Sequence, residues 1–356
     1  MDREKRRIAQ GTFRVRGDRP ARRLRAQCAG GLLLLLLGAA CAGSPATESD
    51  QPETEASAIN PASPTTLVPS PTGPEATGVP VHSFPTPPPT PAVLIAVGDI
   101  ASCRSQGDEA TAALVEGIDG VVATLGDSVY DTGTPDEFAE CFDPSWGRFK
   151  DRIRPAVGNH EYYTPGAAGY YAYFGSAAGD PTEGYYSYDH GAWHIVVLNS
   201  ICWEVGGCTE EDPQAKWLET DLRAHPALCT LAYWHYPRFS SGQHGDSDIV
   251  SAYWRMLAEA GAEIVLTGHD HDYERLTPLN ALGEEDLDFG MRHFIVGTGG
   301  ASHYPFPDPP PPNSQVRDAT TFGVLVLKLF EDRYEWEFVP VAGGSFIDAG
   351  SGVCHP

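Results

Sequence analysis

Four apolar runs in this chain each end in a glycine that is followed at once by a side chain with oxygen or nitrogen donor atoms. These strand-end pairs are Gly98-Asp99, Gly126-Asp127, Gly158-Asn159 and Gly268-His269. Continuous apolar runs rich in Val, Ile and Leu are typical of strands buried on both faces. Strands alternating with helical stretches predict an α/β sheet, whose chemistry lies at the carboxyl ends of its strands.

The apolar run at 262–267 leads into His269 and His271, which are two residues apart. Such residues point the same way at a strand end, so both imidazoles are placed to bind metal. A His-x-His motif by itself is weak evidence, because histidine is scattered through the chain. Donor residues also follow the other apolar runs. The candidate metal ligands upstream of the histidine pair are Asp99, Asp127, Tyr130, Asn159 and His235.

Together these residues combine carboxylate and phenolate oxygens with imidazole nitrogens. That donor set suits first-row ions such as Fe, Zn or Mn, and one carboxylate can bridge two cations. Each residue alone has an ordinary structural explanation, as a turn residue, a helix cap or a core histidine. Their occurrence in order, each just past an apolar run, favours a metal site.

Helices and further strands are predicted between and after these runs. A helix follows the first strand, with Ala110, Ala113, Leu114 and Ile118 spaced for one buried face. The aromatic, glycine-rich stretch 162–188 predicts a long loop over the site, in which the tyrosines mainly pack. Later strands are predicted near 185–188, 194–199, 231–234, 293–296, 322–329 and 334–339, and later helices over 213–225 and 247–260.

The charge of the chain argues against a nucleic-acid partner. The formal net charge is −24, and the first 26 residues carry ten Lys/Arg against three Asp/Glu, so the rest carries about −31. Binding to a polyanion through its phosphates requires the opposite sign. The main consequence of such an acidic surface is solubility.

The N-terminal segment predicts export. Residues 1–26 are arginine-rich, and the apolar stretch 29–40 is too short for a membrane span but suits a secretory signal. The residues before Cys41 resemble a lipoprotein signal, which would lipidate Cys41 and attach the protein to a membrane, while ordinary signal cleavage fits equally well. The stretch 42–91 contains 13 prolines and almost no large apolar residue, so it predicts a disordered tether. The globular domain is then 92–356.

Six cysteines follow the export signal, an even number that suits three disulfides in an oxidising compartment. Cys202 and Cys208 bracket a short loop and are predicted to pair. The other four cysteines allow three connectivities, and the sequence does not separate them. They are Cys103, Cys141, Cys229 and Cys354.

The ordered motifs resemble the calcineurin-like metallophosphoesterase superfamily and, within it, the purple acid phosphatase branch. The matching motifs are Gly98-Asp99, Gly126-Asp127-x-x-Tyr130, Gly158-Asn159-His160-Glu161, His235 and Gly268-His269-x-His271. Ala101 stands where most relatives have a histidine, and Tyr130 stands where purple acid phosphatases have a metal-bound tyrosine. Ser128, in contrast, departs from the usual Asn. The resemblance implies a four-layer αββα sandwich with a dinuclear metal site at the carboxyl ends of the strands.

The resemblance also implies a role for each candidate residue. One ion would be held by Asp99, Asp127, Tyr130 and His271. The other would be held by Asp127, Asn159, His235 and His269. His160 would hydrogen-bond the substrate phosphate, and His244 would assist the leaving group. The ions would be Fe paired with Fe, Zn or Mn.

Three functions are compatible with this framework. The first is an exported phosphomonoesterase that attacks small organic phosphate esters with a metal-bound hydroxide. The second is a phosphodiesterase or nucleotidase, which the aromatic stretch 162–188 would distinguish as a substrate lid. The third is a non-catalytic metal-binding surface lipoprotein, against which the intact ligand set argues.

Overall fold

The computed structural model describes residues 90–355. The predicted export signal over 1–41, Cys41 and nearly all of the predicted tether over 42–91 lie outside this range. Within it, no helix is both long enough and apolar enough to cross a membrane.

Residues 90–355 form fifteen strands and seven α-helices, joined by short 3₁₀ and π-helical turns. The strands are β1 (Ala92–Val97), β2 (Ala101–Ser102), β3 (Val121–Leu125), β4 (Val129–Tyr130), β5 (Ile153–Ala156), β6 (Tyr186–His190), β7 (Trp193–Val197), β8 (Cys229–Tyr233), β9 (Ile264–Thr267), β10 (Tyr273–Leu276), β11 (Arg292–Val296), β12 (Ser314–Asp318), β13 (Gly323–Leu329), β14 (Arg333–Pro340) and β15 (Ala349–Val353). The helices are α1 (Gly107–Glu116), α2 (Pro135–Glu137), α3 (Asp143–Trp146), α4 (Asn159–Tyr162), α5 (Ala168–Phe174), α6 (Pro213–Ala224) and α7 (Ser251–Glu259).

Two large mixed sheets form the middle of the fold. The six-stranded sheet has the order β15-β14-β13-β1-β3-β5, and the seven-stranded sheet has the order β12-β10-β11-β9-β8-β7-β6. Strands β1, β3 and β5 are parallel, and so are β7, β8, β9 and β11. The carboxyl ends of the parallel strands in each sheet therefore share one edge, as the sequence predicts.

Alternating side chains of the seven-stranded sheet face two different layers. Ile195 and Val197 of β7 belong to the core between the two sheets. Their neighbours Val196 and Leu198 belong to a second core that is completed by α6 and α7. Since the opposite face of the six-stranded sheet is covered by α1 and the helical turns after it, the predicted αββα sandwich is confirmed.

The aromatic stretch 162–188 is not the loop that the sequence predicts. It contains α5, in which Tyr170 and Phe174 are buried. Phe174 packs edge to face against Phe138 and Phe142, with ring centroids 5.7 Å from each. The tyrosines of α5 pack rather than line a cleft, because aromatic rings from a separate helical segment make this face of α5 a core face.

Helix α1 lies where the sequence predicts it, but its buried face is different. Thr111 and Ala112 are fully buried, whereas Ala110 and Ala113 are exposed. The hydroxyl of Thr111 donates to the carbonyl of Gly299, 2.6 Å away, in the turn after β11. The predicted residues Leu114 and Ile118 are partly buried and still pack against the core, so the buried face of α1 is displaced from the face that apolar spacing indicates rather than opposite to it.

Three disulfides link the described cysteines. The predicted pair Cys202–Cys208 is confirmed. The other two pairs are Cys103–Cys141 and Cys229–Cys354. The pair Cys229–Cys354 joins the start of β8, in the seven-stranded sheet, to the chain just after β15 in the six-stranded sheet. This bond closes a long loop and ties the two sheets together.

Candidate metal centre

Three of the predicted ligands adopt left-handed backbone conformations directly after their glycines. The φ angles are 61° at Asp99, 48° at Asp127 and 73° at His269. A residue other than glycine pays roughly 1–3 kcal/mol for such a conformation and keeps it only where surrounding contacts enforce it. The sharp turn after each strand directs these side chains back over the sheet edge. The strained backbone therefore places the candidate ligands in the site.

The preceding glycines make room for ligands that come from other strands. A Cβ atom at Gly158 would lie 2.1 Å from Asp127 Oδ1, and one at Gly268 would lie 2.6 Å from Asp99 Oδ2. Both distances are too short for any side chain. The repeated glycine of the strand-end motif is therefore required by the close approach of the loops.

Tyr130 lies at the centre of a first group of donors. Its Oη atom lies 2.6 Å from Asp99 Oδ1 and 3.0 Å from Asp127 Oδ2. The same oxygen lies 2.9 Å from Nε2 of His271. A phenol carries one hydrogen and cannot donate to all three groups. A cation among these atoms would satisfy them together, which makes the group a candidate metal site.

His235 lies at the centre of a second group of donors. Its Nδ1 donates to the carbonyl of Leu125, 2.9 Å away, so Nε2 faces the site. Nε2 lies 3.0 Å from Asn159 Oδ1 and 3.2 Å from Asp127 Oδ2. Ligand atoms of Asp127, His235 and His269 all lie within 4.8 Å of one another. A backbone carbonyl that orients the far nitrogen is the usual support of a metal-binding histidine.

The charges in these groups shift several pKa values. Burial raises the pKa of Asp127, but His235 outweighs it and holds the pKa of that carboxyl well below its usual range. Burial lowers the pKa of His235, and the charge of Asp127 reverses this and raises the pKa to about 9. Burial and the nearby His235 lower the pKa of His269 to about 2, so this imidazole is neutral and able to bind a metal.

The two predicted catalytic histidines lie beside the donor groups. Nδ1 of His160 donates to the carbonyl of Asp131, 2.6 Å away, and Nε2 lies 3.9 Å from Asp127 Oδ2. His244 is exposed, and its ring stacks on that of His269 with centroids 4.3 Å apart. The structure thus brings all seven predicted ligands and His160 together, with His244 at the edge of the group.

The family of the chain follows from the segment that contains these groups. Residues 92–273, half of the chain, match the family described as calcineurin-like phosphoesterase. The chain belongs to the calcineurin-like phosphoesterase family. All seven candidate ligands lie inside this matched segment.

Curated relatives of the chain are purple acid phosphatases. Purple acid phosphatase 15 of Arabidopsis thaliana is 27% identical over 175 residues, which cover 44% of this chain and 32% of that protein. Purple acid phosphatase 22 of the same plant is 27% identical over 289 residues, which cover 73% of this chain and 63% of that protein. The chain thus spans only part of the length of these relatives.

A solved structure of a purple acid phosphatase from yellow lupin seeds has the same fold. The two structures superimpose with a TM-score of 0.60 and 19% sequence identity, over 73% of this chain and 53% of the lupin chain. This likeness confirms the predicted fold class. The predicted resemblance to the superfamily and to its purple acid phosphatase branch is confirmed as well.

Glu161 organises the site although the sequence assigns it no role. Its side chain is fully buried, and its two oxygens accept hydrogen bonds from the backbone amides of Asp127, Ser128 and Gly158 at 3.1, 2.7 and 2.7 Å. Glu161 therefore holds the turn that carries Asp127 and the loop that carries Asn159 in one arrangement. The sequence signal that could have identified Glu161 was its position in the motif Gly158-Asn159-His160-Glu161.

Glu161→Gln is expected to lower both the stability of the protein and its affinity for metal. The new amide NH₂ would face a backbone N–H, and one buried donor would lose its partner, which costs roughly 1–3 kcal/mol. Disturbing such a supporting group typically weakens metal binding by about 10–100-fold. Urea unfolding and metal titration measure the two effects. The exposed Glu183→Gln is the matched control, and equal behaviour of the two variants would remove Glu161 from this role.

Two other residues support the site although the sequence assigns them no role: Ser302, from a loop that no pattern marks, and Asp270, the middle residue of the His-x-His motif. Ser302 places its Oγ atom 2.7 Å from Nδ1 of His271. Asp270 accepts a hydrogen bond of 2.7 Å from the backbone amide of His244 and one from the hydroxyl of Ser240. These contacts orient His271 and hold the loop of His244 against the site.

A second histidine group, away from this centre, has a different geometry. His194 Nε2 lies 2.8 Å from Asp221 Oδ2, and His225 Nδ1 lies 3.2 Å from Asp221 Oδ1. The two imidazoles stack with centroids 4.6 Å apart and an interplanar angle of 14°. Since a metal lies in the plane of each imidazole that binds it, stacked rings do not share an ion without rotating. This group is better described as an ion-pair network.

Proposed function

We propose that the phosphoesterase is an exported phosphomonoesterase that hydrolyses small organic phosphate esters with two bound first-row metal ions. The observation that carries the proposal is that the two donor groups share one carboxylate. Asp127 Oδ2 lies 3.0 Å from Tyr130 Oη in the first group and 3.2 Å from His235 Nε2 in the second. A shared carboxylate is the arrangement that bridges a pair of cations.

The proposed ligand sets follow the two groups. The first ion would be bound by Asp99, Asp127, Tyr130 and His271. The second ion would be bound by Asp127, Asn159, His235 and His269. When bound, the ions would supply a water of lowered pKa and neutralise charge on the phosphoryl group.

The phenol of Tyr130 points to the oxidation state of the first ion. Burial and the charges of Asp127 and Asp99 raise the pKa of Tyr130 well above its usual value. A bound cation would offset these effects and favour the phenolate, more strongly the higher its charge. The proposed ions are therefore Fe(III) in the first group and Fe, Zn or Mn in the second.

His160 and His244 are proposed to handle the substrate. Because Nδ1 of His160 donates to the carbonyl of Asp131, only Nε2 is directed at the site, and in the protonated ring it would donate to a phosphate oxygen. His244 has no hydrogen-bond partner for its ring among residues 90–355 and is exposed. It is free to pass a proton to the departing oxygen.

Export is part of the proposal. The three disulfides suit an oxidising compartment outside the cytosol. The N-terminal signal, lipidation of Cys41 and the proline-rich tether would then hold the domain near a membrane.

Metal analysis combined with a substrate panel tests the proposed function. Protein purified without chelator should hold about two first-row ions per chain and should hydrolyse phenyl phosphate much faster than diphenyl phosphate. Removal of the ions should abolish hydrolysis, and their return should restore it. With Fe(III) bound, the protein should be coloured, and Tyr130→Phe should remove the colour.

Each part of this experiment has an outcome that contradicts the proposal. Hydrolysis that survives complete metal removal would exclude the metal mechanism. Faster cleavage of diphenyl phosphate than of phenyl phosphate would contradict the phosphomonoesterase function and favour a phosphodiesterase on the same framework. Metal-loaded protein that hydrolyses neither ester would favour a non-catalytic metal-binding protein.

A further inference from the structure

Three aromatic side chains, here called the aromatic rim, lie beside the imidazoles of the metal centre. Tyr163 contacts His160 edge to face, with ring centroids 4.9 Å apart. Tyr236 contacts His269 in the same way at 4.4 Å. Trp203 lies behind Tyr236, with centroids 6.3 Å apart and an interplanar angle of 29°. On the side of His269, the rim therefore extends outward from the metal centre, first through Tyr236 and then to Trp203.

Trp203 is unusually exposed for a tryptophan of this protein. All seven tryptophans lie within residues 90–355, and Trp203 alone is exposed, with 50% of its surface accessible. Tyr163 is 62% exposed. Single exposed aromatic residues need no explanation, but two that flank one site offer flat apolar faces next to the candidate metal ligands.

The rim is held in place by covalent and polar contacts. Trp203 belongs to a short 3₁₀ helix, Cys202–Val205, that the disulfide Cys202–Cys208 closes into a small ring. The backbone amide of Tyr236 donates to Ser200 Oγ, 3.0 Å away, which fastens this loop to the segment after His235.

Tyr163 is connected to the loop that carries Trp203 through a hydrogen bond of its neighbour Tyr162. The side-chain amide of Asn199 donates to Tyr162 Oη, 2.8 Å away. Three segments that follow β5, β7 and β8 therefore hold the rings of the rim in place on two sides of the metal centre. Binding a flat ligand there requires little ordering of the protein.

The order of the rings indicates where a ligand ring would lie. Tyr236 lies between His269 and Trp203, so a ring attached directly to the ester oxygen would meet Tyr236 rather than Trp203. A ring separated from the phosphate by a sugar would reach Trp203. Aromatic side chains bind nucleobases by stacking, largely regardless of base identity.

We propose that the aromatic rim binds the base of a nucleoside monophosphate whose phosphate occupies the metal centre, with Trp203 as the specificity-determining residue. This inference rests on the proposed phosphomonoesterase function. It predicts a preference for leaving groups that carry a planar ring beyond a spacer, over the same leaving group without the ring.

Adenosine 5′-monophosphate and ribose 5-phosphate test the proposal, because both leave through the same 5′ oxygen and differ only in the base. The protein should favour the nucleotide in kcat/KM. Trp203→Ala should lower kcat/KM for the nucleotide roughly 5- to 150-fold more than for ribose 5-phosphate, the effect of losing one stacking contact. Trp203→Phe should retain most of the preference. Adenosine alone should inhibit ribose 5-phosphate hydrolysis by the native protein more strongly than by Trp203→Ala.

Controls separate the rim from general effects of the substitution. Phe289 is 66% exposed and lies outside the rim. Phe289→Ala is therefore the control variant and should behave as the native protein does. If Trp203→Ala unfolds, Trp203→Leu removes the flat ring and keeps apolar bulk. Phenyl phosphate, with its ring next to the ester oxygen, should depend less on Trp203 than the nucleotide does.

The outcomes distinguish this inference from the proposed function. Equal kcat/KM for the nucleotide and ribose 5-phosphate in the native protein would contradict base binding by the rim. Equal losses of kcat/KM on both substrates in Trp203→Ala and Trp203→Leu would contradict it as well. Neither result would contradict the proposed phosphomonoesterase function. Failure of the metal-loaded protein to hydrolyse phenyl phosphate, ribose 5-phosphate and the nucleotide alike would overturn both.

Discussion

Asp127→Asn is expected to lose both metal ions and to lower kcat/KM by at least about 10³-fold. Asp127 is almost fully buried, and its Oδ2 faces both donor groups. Asn has the same shape but no charge, and its NH₂ would face acceptor atoms. Losing the several kcal/mol of charge stabilisation that bound ions supply corresponds to a rate loss of this order.

Elemental analysis and phosphomonoester kinetics on the same preparation measure both losses. Asp151→Asn, which changes an exposed aspartate, is the matched control and should keep metal and activity. Circular dichroism separates metal loss from unfolding. An Asp127→Asn protein that retains two ions per chain would show that Asp127 does not bridge them, and the two donor groups would then have to bind metal independently.

His244→Ala is expected to slow the hydrolysis of esters with poor leaving groups by roughly 10²–10⁴-fold, the usual contribution of general acid catalysis. Esters of acidic phenols should be affected far less, because these leaving groups depart without a proton. The metal content should not change, since the ring of His244 stacks on His269 from outside the ligand sets.

A series of phosphate esters of graded leaving-group acidity measures this effect. The quantity compared is the slope of log kcat/KM against the acidity of the leaving group, which should differ between His244→Ala and the native protein. Gln243→Ala alters the exposed neighbour in the same loop and should leave the slope unchanged. His160→Ala should lower all rates alike, because Nε2 of His160 is placed to meet the phosphate rather than the leaving group. Equal losses across the series in His244→Ala would transfer the acid role to another group.

Sequence patterns alone were sufficient for the part of the fold that depends on neighbouring residues. The apolar runs that end in Gly98, Gly126 and Gly268 predicted buried strands, and each of these strands is present. Local chemistry also placed the donor residues, because a strand has one carboxyl end and parallel strands share it. The short span between Cys202 and Cys208 likewise sufficed to pair them.

Other features were decided only by residues far apart in the chain. Helix α5 exists because its aromatic face meets Phe138 and Phe142, and no pattern within 162–188 shows that contact. The pairing Cys103–Cys141 depends on where the helical turn 138–142 packs, and the pairing Cys229–Cys354 depends on how the two large sheets come together.

The supporting groups of the site were decided in the same way. Glu161 accepts hydrogen bonds from a turn 33 residues away, at Ser128, and Trp203 meets Tyr236 only because β7 and β8 are adjacent. Periodicity reports which face of an element is buried, but not which partner buries it. The residues that could bind metal were therefore visible in the sequence, whereas those that orient them, and those proposed to select the substrate, became visible only when strands far apart in the chain were placed side by side.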